Sequence, residues 1–358
     1  MVITNLRSKS KNVALLAYQL KVASMYRYQS RQLFFAFIYL FVVSPAIAQQ
    51  RFVELGNFQL ESGQVIQNCR LGYRTFGRLN ANRSNAILVP TWFGGTSQQK
   101  AFVANPGGIA DSTQYFTIVV DALGNGVSSS PSNSAAQAGA QFPQFTIRDM
   151  VRSEYELVTK HLGLTHLFAV MGISMGGMQS FEWMVSYPDF MDKVVPIVGT
   201  PKQSSYDRLF WGTQLTILER GSFSPESMKT VGDLHELNLT TPGYFMGHLK
   251  PEDEPSFVQQ KENGYANTNP YNWASQLRAM IGQDIYRGKS MAELKATIKA
   301  NLMIIVAKQD HMVTPGMATE LATFLHVPFV ELTGECGHLA TSCEEDNVKK
   351  AVRGFLNK

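Results

Sequence analysis

A chain of 358 residues, 44% hydrophobic and 17% charged, is long enough for one large domain or two ordinary ones, and its composition excludes the disordered and collagen-like classes. Its formal charge of +4 does not mark a nucleic-acid binder. Six of the 32 basic residues and none of the 28 acidic ones fall in residues 1–48, which leaves 26 basic against 28 acidic in the remainder and no basic face for nucleic acid.

Those six are Arg7, Lys9, Lys11, Lys21, Arg27 and Arg31. Arg27 and Arg31 precede an unbroken apolar run from Leu33 to Val43, followed by Ser44-Pro45-Ala46-Ile47-Ala48. A positive segment, a short apolar segment and a small-x-small site describe a secretory leader cleaved after Ala48. The run falls short of the ~20 apolar residues of a membrane span. Met25 is the more ordinary start for such a leader. The expectation is an exported, periplasmic or secreted body, anchored to a membrane only if the leader is left uncleaved.

Beyond residue 50, short runs rich in β-branched and aromatic residues alternate with segments of helical period, as in a mainly parallel sheet flanked by helices. The runs are Ile66–Phe76, Asn85–Phe93, Phe116–Leu123, Leu167–Ser174, Lys193–Thr200, Leu302–Asp310 and Pro328–Leu332. Stretches such as Ala86-Ile87-Leu88-Val89 and Met303-Ile304-Ile305-Val306 are apolar on both faces, which suits strands buried between two helical layers. From Thr200 to Lys299 the alternation stops, and about 100 residues of helical period bring prolines and aromatics such as Phe210, Trp211, Tyr265 and Trp273. An insertion that long between strands is usually functional. The organisation predicted is therefore a leader over 1–48, a core over 49–200 and 301–358, and a largely helical cap over 201–300.

Gly172-Ile173-Ser174-Met175-Gly176 matches G-x-S-x-G, in which a strand turns sharply into a helix and exposes a serine hydroxyl. An apolar strand leads into it, and the helix-compatible Met178–Met184 runs out of it. A serine hydroxyl needs a base within hydrogen-bond reach and a carboxylate to hold that base. Asp310, at the end of the strand from Met303 to Ala307, and His338, in Gly334-Glu335-Cys336-Gly337-His338, both lie beyond strand carboxyl ends and follow the serine in the order Ser, acid, His. Ser174, Asp310 and His338 are the expected catalytic set. Asp121 is the runner-up acid, His311 a weaker candidate for the base, and His161, His166, His235, His248 and His326 read as surface or cap histidines.

The oxyanion of acyl transfer needs two N–H donors. Met175, next to the serine, supplies one backbone candidate, and Phe93 in Pro90-Thr91-Trp92-Phe93-Gly94-Gly95 the other, with Trp92 an equal alternative. Cys69, Cys336 and Cys343 are too few for a disulfide framework, although an oxidising compartment permits a Cys336–Cys343 bond. A metal reading of Cys336, His338 and Cys343 fits no zinc spacing. No phosphate-binding glycine loop occurs, so neither metal nor cofactor is expected.

The chain resembles the homoserine O-acetyltransferase family within the α/β hydrolases. The resemblance is carried by Leu71-Gly72-Tyr73-Arg74-Thr75-Phe76-Gly77, Phe145-Thr146-Ile147-Arg148-Asp149-Met150-Val151, and Gly172 through Gln179 with Glu182-Trp183. It implies the α/β-hydrolase fold, a triad of Ser174, Asp310 and His338, and a covalent acyl-enzyme. Three positions differ from the transferases. Leu339 stands where an acidic residue follows the histidine, Met280-Ile281 replaces an aspartate expected after Arg278-Ala279, and the loop Leu123–Pro131 is more like that of the hydrolases. A buried ammonium without a carboxylate costs several kcal/mol, and an exported protein is separated from cytoplasmic acetyl-CoA. The expectation is thus an exported hydrolase of a small-molecule ester with an apolar part. Acyl transfer to homoserine or another alcohol, and a silent ligand-binding protein, stand as alternatives; a homodimer is left open.

Overall fold

The computed structural model describes residues 48–358. The leader expected over residues 1–48 therefore lies outside the described residues, save Ala48. Nine strands build one sheet: β1 (Arg51–Gln59), β2 (Val65–Phe76), β3 (Ala86–Pro90), β4 (Phe116–Val120), β5 (Leu167–Ile173), β6 (Met191–Ile197), β7 (Asn301–Leu302), β8 (Ile304–Ala307) and β9 (Phe329–Leu332). Their order is β1-β2-β4-β3-β5-β6-β8-β9, with the short β7 also paired to β6. The β1–β2 and β2–β4 pairs are antiparallel and the rest parallel.

Side chains alternate between the two faces of this sheet, and both faces are apolar. Ile87, Val89, Val119, Met171, Val195 and Ile305 belong to one buried cluster, while Leu88, Ile118, Val120, Val170, Val194 and Ile304 belong to the other. Helices cover the faces, among them α1 (Ile147–Glu156) and α2 (Met175–Ser186). Phe181 and Trp183 of α2 are fully buried. Such close contact on both faces is what the β-branched runs require.

Between β6 and β7 lie six helices: α3 (Ser205–Arg220), α4 (Pro225–Leu239), α5 (Pro242–His248), α6 (Glu254–Ala266), α7 (Pro270–Ile281) and α8 (Met291–Thr297). Their starts are written locally. Ser224-Pro225, Thr241-Pro242 and Asn269-Pro270 each place a capping oxygen before a proline in the first turn, where its fixed φ and missing N–H cost nothing. Ser204 with Asp207, and Ser290 with Glu293, form reciprocal capping boxes. After β8 come α9 (Gly316–Leu325), α10 (Ala340–Cys343) and α11 (Glu345–Leu356). No helix among the described residues is long and apolar enough to cross a membrane.

Two buried carboxylates are carried by α1 and α2, Glu154 on the first and Glu182 on the second. Glu182 pairs with Arg148 at 3.2 Å and with Arg287. Glu154 has no cation among the described residues: its Oε2 accepts a 2.6 Å hydrogen bond from Trp183 Nε1, its Oε1 has no partner, and burial pushes its pKa up to about 8. In the unfolded chain Glu154 ionises near the ordinary value of ~4.3. The folded protein must hold it protonated up to about pH 8, so its contribution to stability is intact below ~pH 4 and declines as pH rises through that window. Replacing it by an uncharged isostere, Glu154→Gln, removes this decline. The melting temperature of the variant relative to the parent is expected to rise by several degrees between pH 5 and pH 8, as read by thermal denaturation at a series of pH values.

Candidate active site

Ser174 joins β5 to α2 as the residue before the helix, with φ 59° and ψ −123°, a conformation that residues other than glycine rarely adopt. The neighbours enforce it. A Cβ on Gly172 would stand 2.2 Å from the Gly176 backbone, one on Gly176 would meet the Pro90 carbonyl at 2.6 Å, and one on Gly199 would meet Gly177 at 2.8 Å. The elbow can thus be that tight only because these positions carry no side chain. Ser174 N–H donates to the Ile197 carbonyl at 2.9 Å, and its own carbonyl accepts from Met178 N–H at 3.1 Å, so the corner is pinned to β6 and to its own helix.

His338 Nε2 lies 2.9 Å from Ser174 Oγ, and His338 Nδ1 lies 2.6 Å from Asp310 Oδ2. The other Asp310 oxygen accepts the N–H groups of Met312 at 2.8 Å and Val313 at 2.9 Å. The three residues expected from the sequence are therefore brought into one continuous hydrogen-bonded chain, buried at the carboxyl ends of β5, β8 and β9. The carboxylate fixes the imidazole by its Nδ1 edge, which leaves Nε2 to face the hydroxyl.

The runner-up acid has a different place. Asp121 accepts from Ser97 N–H and Oγ at 2.7 Å each, from Gln50 Nε2 at 2.9 Å and from Asn125 Nδ2 at 3.1 Å. It organises the loops around β4 and does not bond His338. His311, the weaker candidate for the base, is exposed.

The loop after β3 is held from two sides. Gln276 of α7 accepts Gly94 N–H at 2.8 Å and donates to the Leu123 carbonyl at 2.9 Å, and Gln179 of α2 donates to the Thr91 carbonyl at 3.1 Å. Gly95 N–H is taken by the Trp92 carbonyl at 3.0 Å. Among the described residues the N–H groups of Trp92, Phe93 and Met175 have no protein acceptor. Behind this loop lies a group that the sequence did not single out. Lys100 is fully buried, its ammonium stands 4.9 Å from the Trp92 ring centre without a hydrogen-bond partner, and burial draws its pKa down to about 7.

Ser174 and His338 open into a cavity of about 280 Å³ lined by Trp92, Phe93, Phe102, Trp211, Met312 and Leu339 and, from α4, His235 and Leu239. Ile173, Thr341 and Ser342 complete the lining, so no carboxylate, Lys or Arg faces it among the described residues. Arg278 is spent elsewhere, on Glu219 at 2.9 Å. A larger groove of about 1030 Å³ runs along the β9 edge past Phe168, Lys193 and Phe355 and shares no lining residue with the serine.

His235, read from the sequence as a surface or cap histidine, lies on α4, where it is buried and lines the cavity. The sequence signal was its helical phase, because Met228, Val231 and His235 fall on the one buried stripe of α4. Cys336 and Cys343 are joined in a disulfide, the bond that the sequence permits in an oxidising compartment. The loop they close carries His338, Leu339, Thr341 and Ser342, all four on the cavity wall.

The sequence model of the alpha/beta hydrolase fold matches residues 87–341, more than two thirds of the chain. The chain belongs to the α/β-hydrolase fold family. This α/β-hydrolase-fold protein is 41% identical to the ethyl acetate hydrolase of Pseudomonas veronii over 160 residues, 44% of this chain and 46% of that protein. It spans about half the length of the curated esterases it matches. It is 27% identical to the homoserine O-acetyltransferase of Methanococcoides burtonii over 358 aligned positions, 84% of this chain and 72% of that one. Among solved structures, the acetylester hydrolase from Corynebacterium glutamicum superposes with a TM-score of 0.80 at 25% identity, over 87% of this chain and 96% of that one.

The strained elbow predicts an inversion of the usual glycine effect. Glycine in an ordered position normally lowers stability by ~0.5–1 kcal/mol relative to alanine. At position 174 alanine retains the strain of positive φ, worth ~1–3 kcal/mol, and glycine does not. Ser174→Gly is therefore expected to be more stable than Ser174→Ala by about 1 kcal/mol, as read by urea denaturation of the two variants.

Proposed function

We propose that this protein is a serine ester hydrolase, and the observation that carries the reading is the Ser174–His338–Asp310 chain opening into an apolar cavity without a carboxylate. In this reading Ser174 Oγ attacks the ester carbonyl carbon while His338 Nε2 takes the hydroxyl proton. Asp310 holds the imidazolium that forms. The carbonyl oxygen becomes an oxyanion facing the free N–H groups of Met175 and Phe93. Collapse breaks the bond to the alkoxy oxygen, which leaves as the alcohol with the proton from His338. Water then adds to the acyl-enzyme with His338 as its base, releasing the carboxylic acid and restoring Ser174.

Acyl transfer to homoserine is the second reading, supported by the likeness to homoserine O-acetyltransferases over 84% of this chain. The two readings share the acyl-enzyme and differ in what deacylates it. An amino acid brings an ammonium group, and burying that charge without a partner costs several kcal/mol. The cavity offers it Leu339 beside His338 and no carboxylate. Water meets no such penalty.

Two features support export. One is the leader pattern of residues 1–48, and the other is the Cys336–Cys343 disulfide, a bond that persists in oxidising compartments. In the same reading residues 201–300 act as a cap whose α3 and α4 wall the cavity and whose α7 braces the loop after β3.

Rapid mixing of the chain with p-nitrophenyl acetate is expected to release a burst of nitrophenol that disappears in Ser174→Ala. Asp310→Asn is expected to lower kcat by ~10³–10⁴-fold, the scale of losing the correct histidine tautomer. Steady turnover should be indifferent to added homoserine. Acceleration by homoserine with O-acetylhomoserine as product would replace hydrolysis by transfer, and a burst that persists in Ser174→Ala would remove the serine from the chemistry.

A further inference from the structure

The cavity wall opposite the core is built by the cap, and it contains a polar group that the reaction above does not use. His235 of α4 is only 8% exposed. Its ring is packed by Trp273 at 5.0 Å between ring centres and by Phe93, Trp211 and Tyr265 at 6.1 Å each. Nδ1 is enclosed and makes no hydrogen bond, and Nε2 has no protein partner among the described residues. With Nδ1 walled off, the Nε2 edge is the one left to a molecule in the cavity that His235 lines together with Ser174 and His338. Trp211, beside it in the same wall, also carries an indole N–H without an acceptor.

Buried polar groups in native proteins are nearly always paired, and one left unpaired needs an explanation. Packing alone does not provide it, since phenylalanine or leucine would fill an aromatic niche without the cost of desolvating two ring nitrogens. A structural water between the ring and the Trp211 indole N–H would satisfy both groups while the cavity holds no substrate. A substrate hydroxyl that displaces such a water takes over its hydrogen bonds. Burial and the adjacent His338 push the pKa of His235 down to about 3, so at neutral pH the ring is uncharged and offers one donor and one acceptor. A neutral group of that kind suits a hydroxyl, which can both give and take a hydrogen bond, better than a carboxylate or an ammonium.

We propose that His235 is a specificity-determining residue that hydrogen-bonds a hydroxyl substituent of the ester, so that the substrates favoured are hydroxylated esters and not plain alkyl esters. The inference rests on the hydrolase reading for its chemistry and on the geometry of α4 for its selectivity. A plain alkyl ester fills the same cavity but leaves the ring unpaired. Sites built around a hydrogen bond reject analogues that lack it, because the protein group then loses water without replacement. For one neutral hydrogen bond the discrimination expected is about 10- to 100-fold in kcat/KM.

Two isosteric pairs separate the two sides of the ester. 2-Hydroxyethyl acetate against propyl acetate carries the hydroxyl on the alcohol, and ethyl 3-hydroxypropanoate against ethyl butanoate carries it on the acyl group. Each ratio of kcat/KM is divided by the ratio for alkaline hydrolysis, which removes intrinsic reactivity. The expected result is a preference of about tenfold or more for the hydroxylated member of one pair, lost in His235→Phe and regained in His235→Gln. A parent that favours neither hydroxylated ester by more than about threefold overturns the inference, and this holds even if His235→Phe does not fold. So does a preference that survives in a folded His235→Phe.

Failure of the hydrolase reading is a separate outcome, seen as no turnover of any of the four esters. In that case the Kd values of the same esters for Ser174→Ala, measured by quenching of tryptophan fluorescence, decide the matter. Equal affinities within each pair overturn the role of His235. Tighter binding of a hydroxylated ester that is lost in the Ser174→Ala, His235→Phe double variant supports it.

Discussion

The site depends on one constrained corner. Ser174 can present its hydroxyl above the carboxyl edge of the sheet only because its backbone is held at positive φ, and that backbone is held because Gly172, Gly176, Gly177 and Gly199 let strand and helix close to contact. Every other part of the site is set with respect to this corner. His338 reaches it from the loop after β9, Asp310 reaches His338 from the loop after β8, and the free N–H of Met175 exists because the first turn of any helix leaves its donors unpaired. A parallel sheet explains the convergence. Its loops beyond the strand carboxyl ends all gather at one edge, so residues 136 and 164 positions apart in sequence from the serine meet within hydrogen-bond distance.

The parts of the fold that a reader could find in the sequence are those encoded by local chemistry. β3, β5 and β8 are legible because strands buried on both faces must be apolar at every position, and the elbow is legible because its glycines are required by contact. β1 escaped notice for the opposite reason. Only Val53 and Phe58 of its nine residues are buried, and a bulged edge strand with mostly exposed side chains has no period to detect. The starts of three helices between β6 and β7 were written in Ser-Pro, Thr-Pro and Asn-Pro pairs, but their arrangement over the sheet was not, since packing between helices depends on surfaces brought together late.

The site follows the same division. Asp310 and Asp121 both end parallel strands, and sequence order favoured the first without excluding the second. What distinguishes them is the set of donors each one meets: two backbone amides and an imidazole for Asp310, side chains and a backbone amide of loop residues for Asp121. Lys100 and His235 had no local signature beyond helical phase. Their burial is made by aromatic residues more than a hundred positions away in the case of Phe93 and His235, and no window along the chain contains both.

Asp207 gives the helices between β6 and β7 a further property. It caps α3 through Ser204 and at the same time accepts Thr314 N–H at 2.9 Å and Thr314 Oγ1 at 3.0 Å in the loop that follows Asp310. With Gln276 bonded to the loop after β3 and Thr241 Oγ1 donating to the Glu335 carbonyl at 2.7 Å, the helical layer is riveted to all three loops of the site. A layer fastened so cannot swing away as one body without breaking the contacts that position the chemistry. In the hydrolase reading the partly exposed Phe102 and Leu339 of the cavity wall would then limit what reaches Ser174, as a sieve does. Rate should then fall abruptly with the girth of a substrate and only gently with its length.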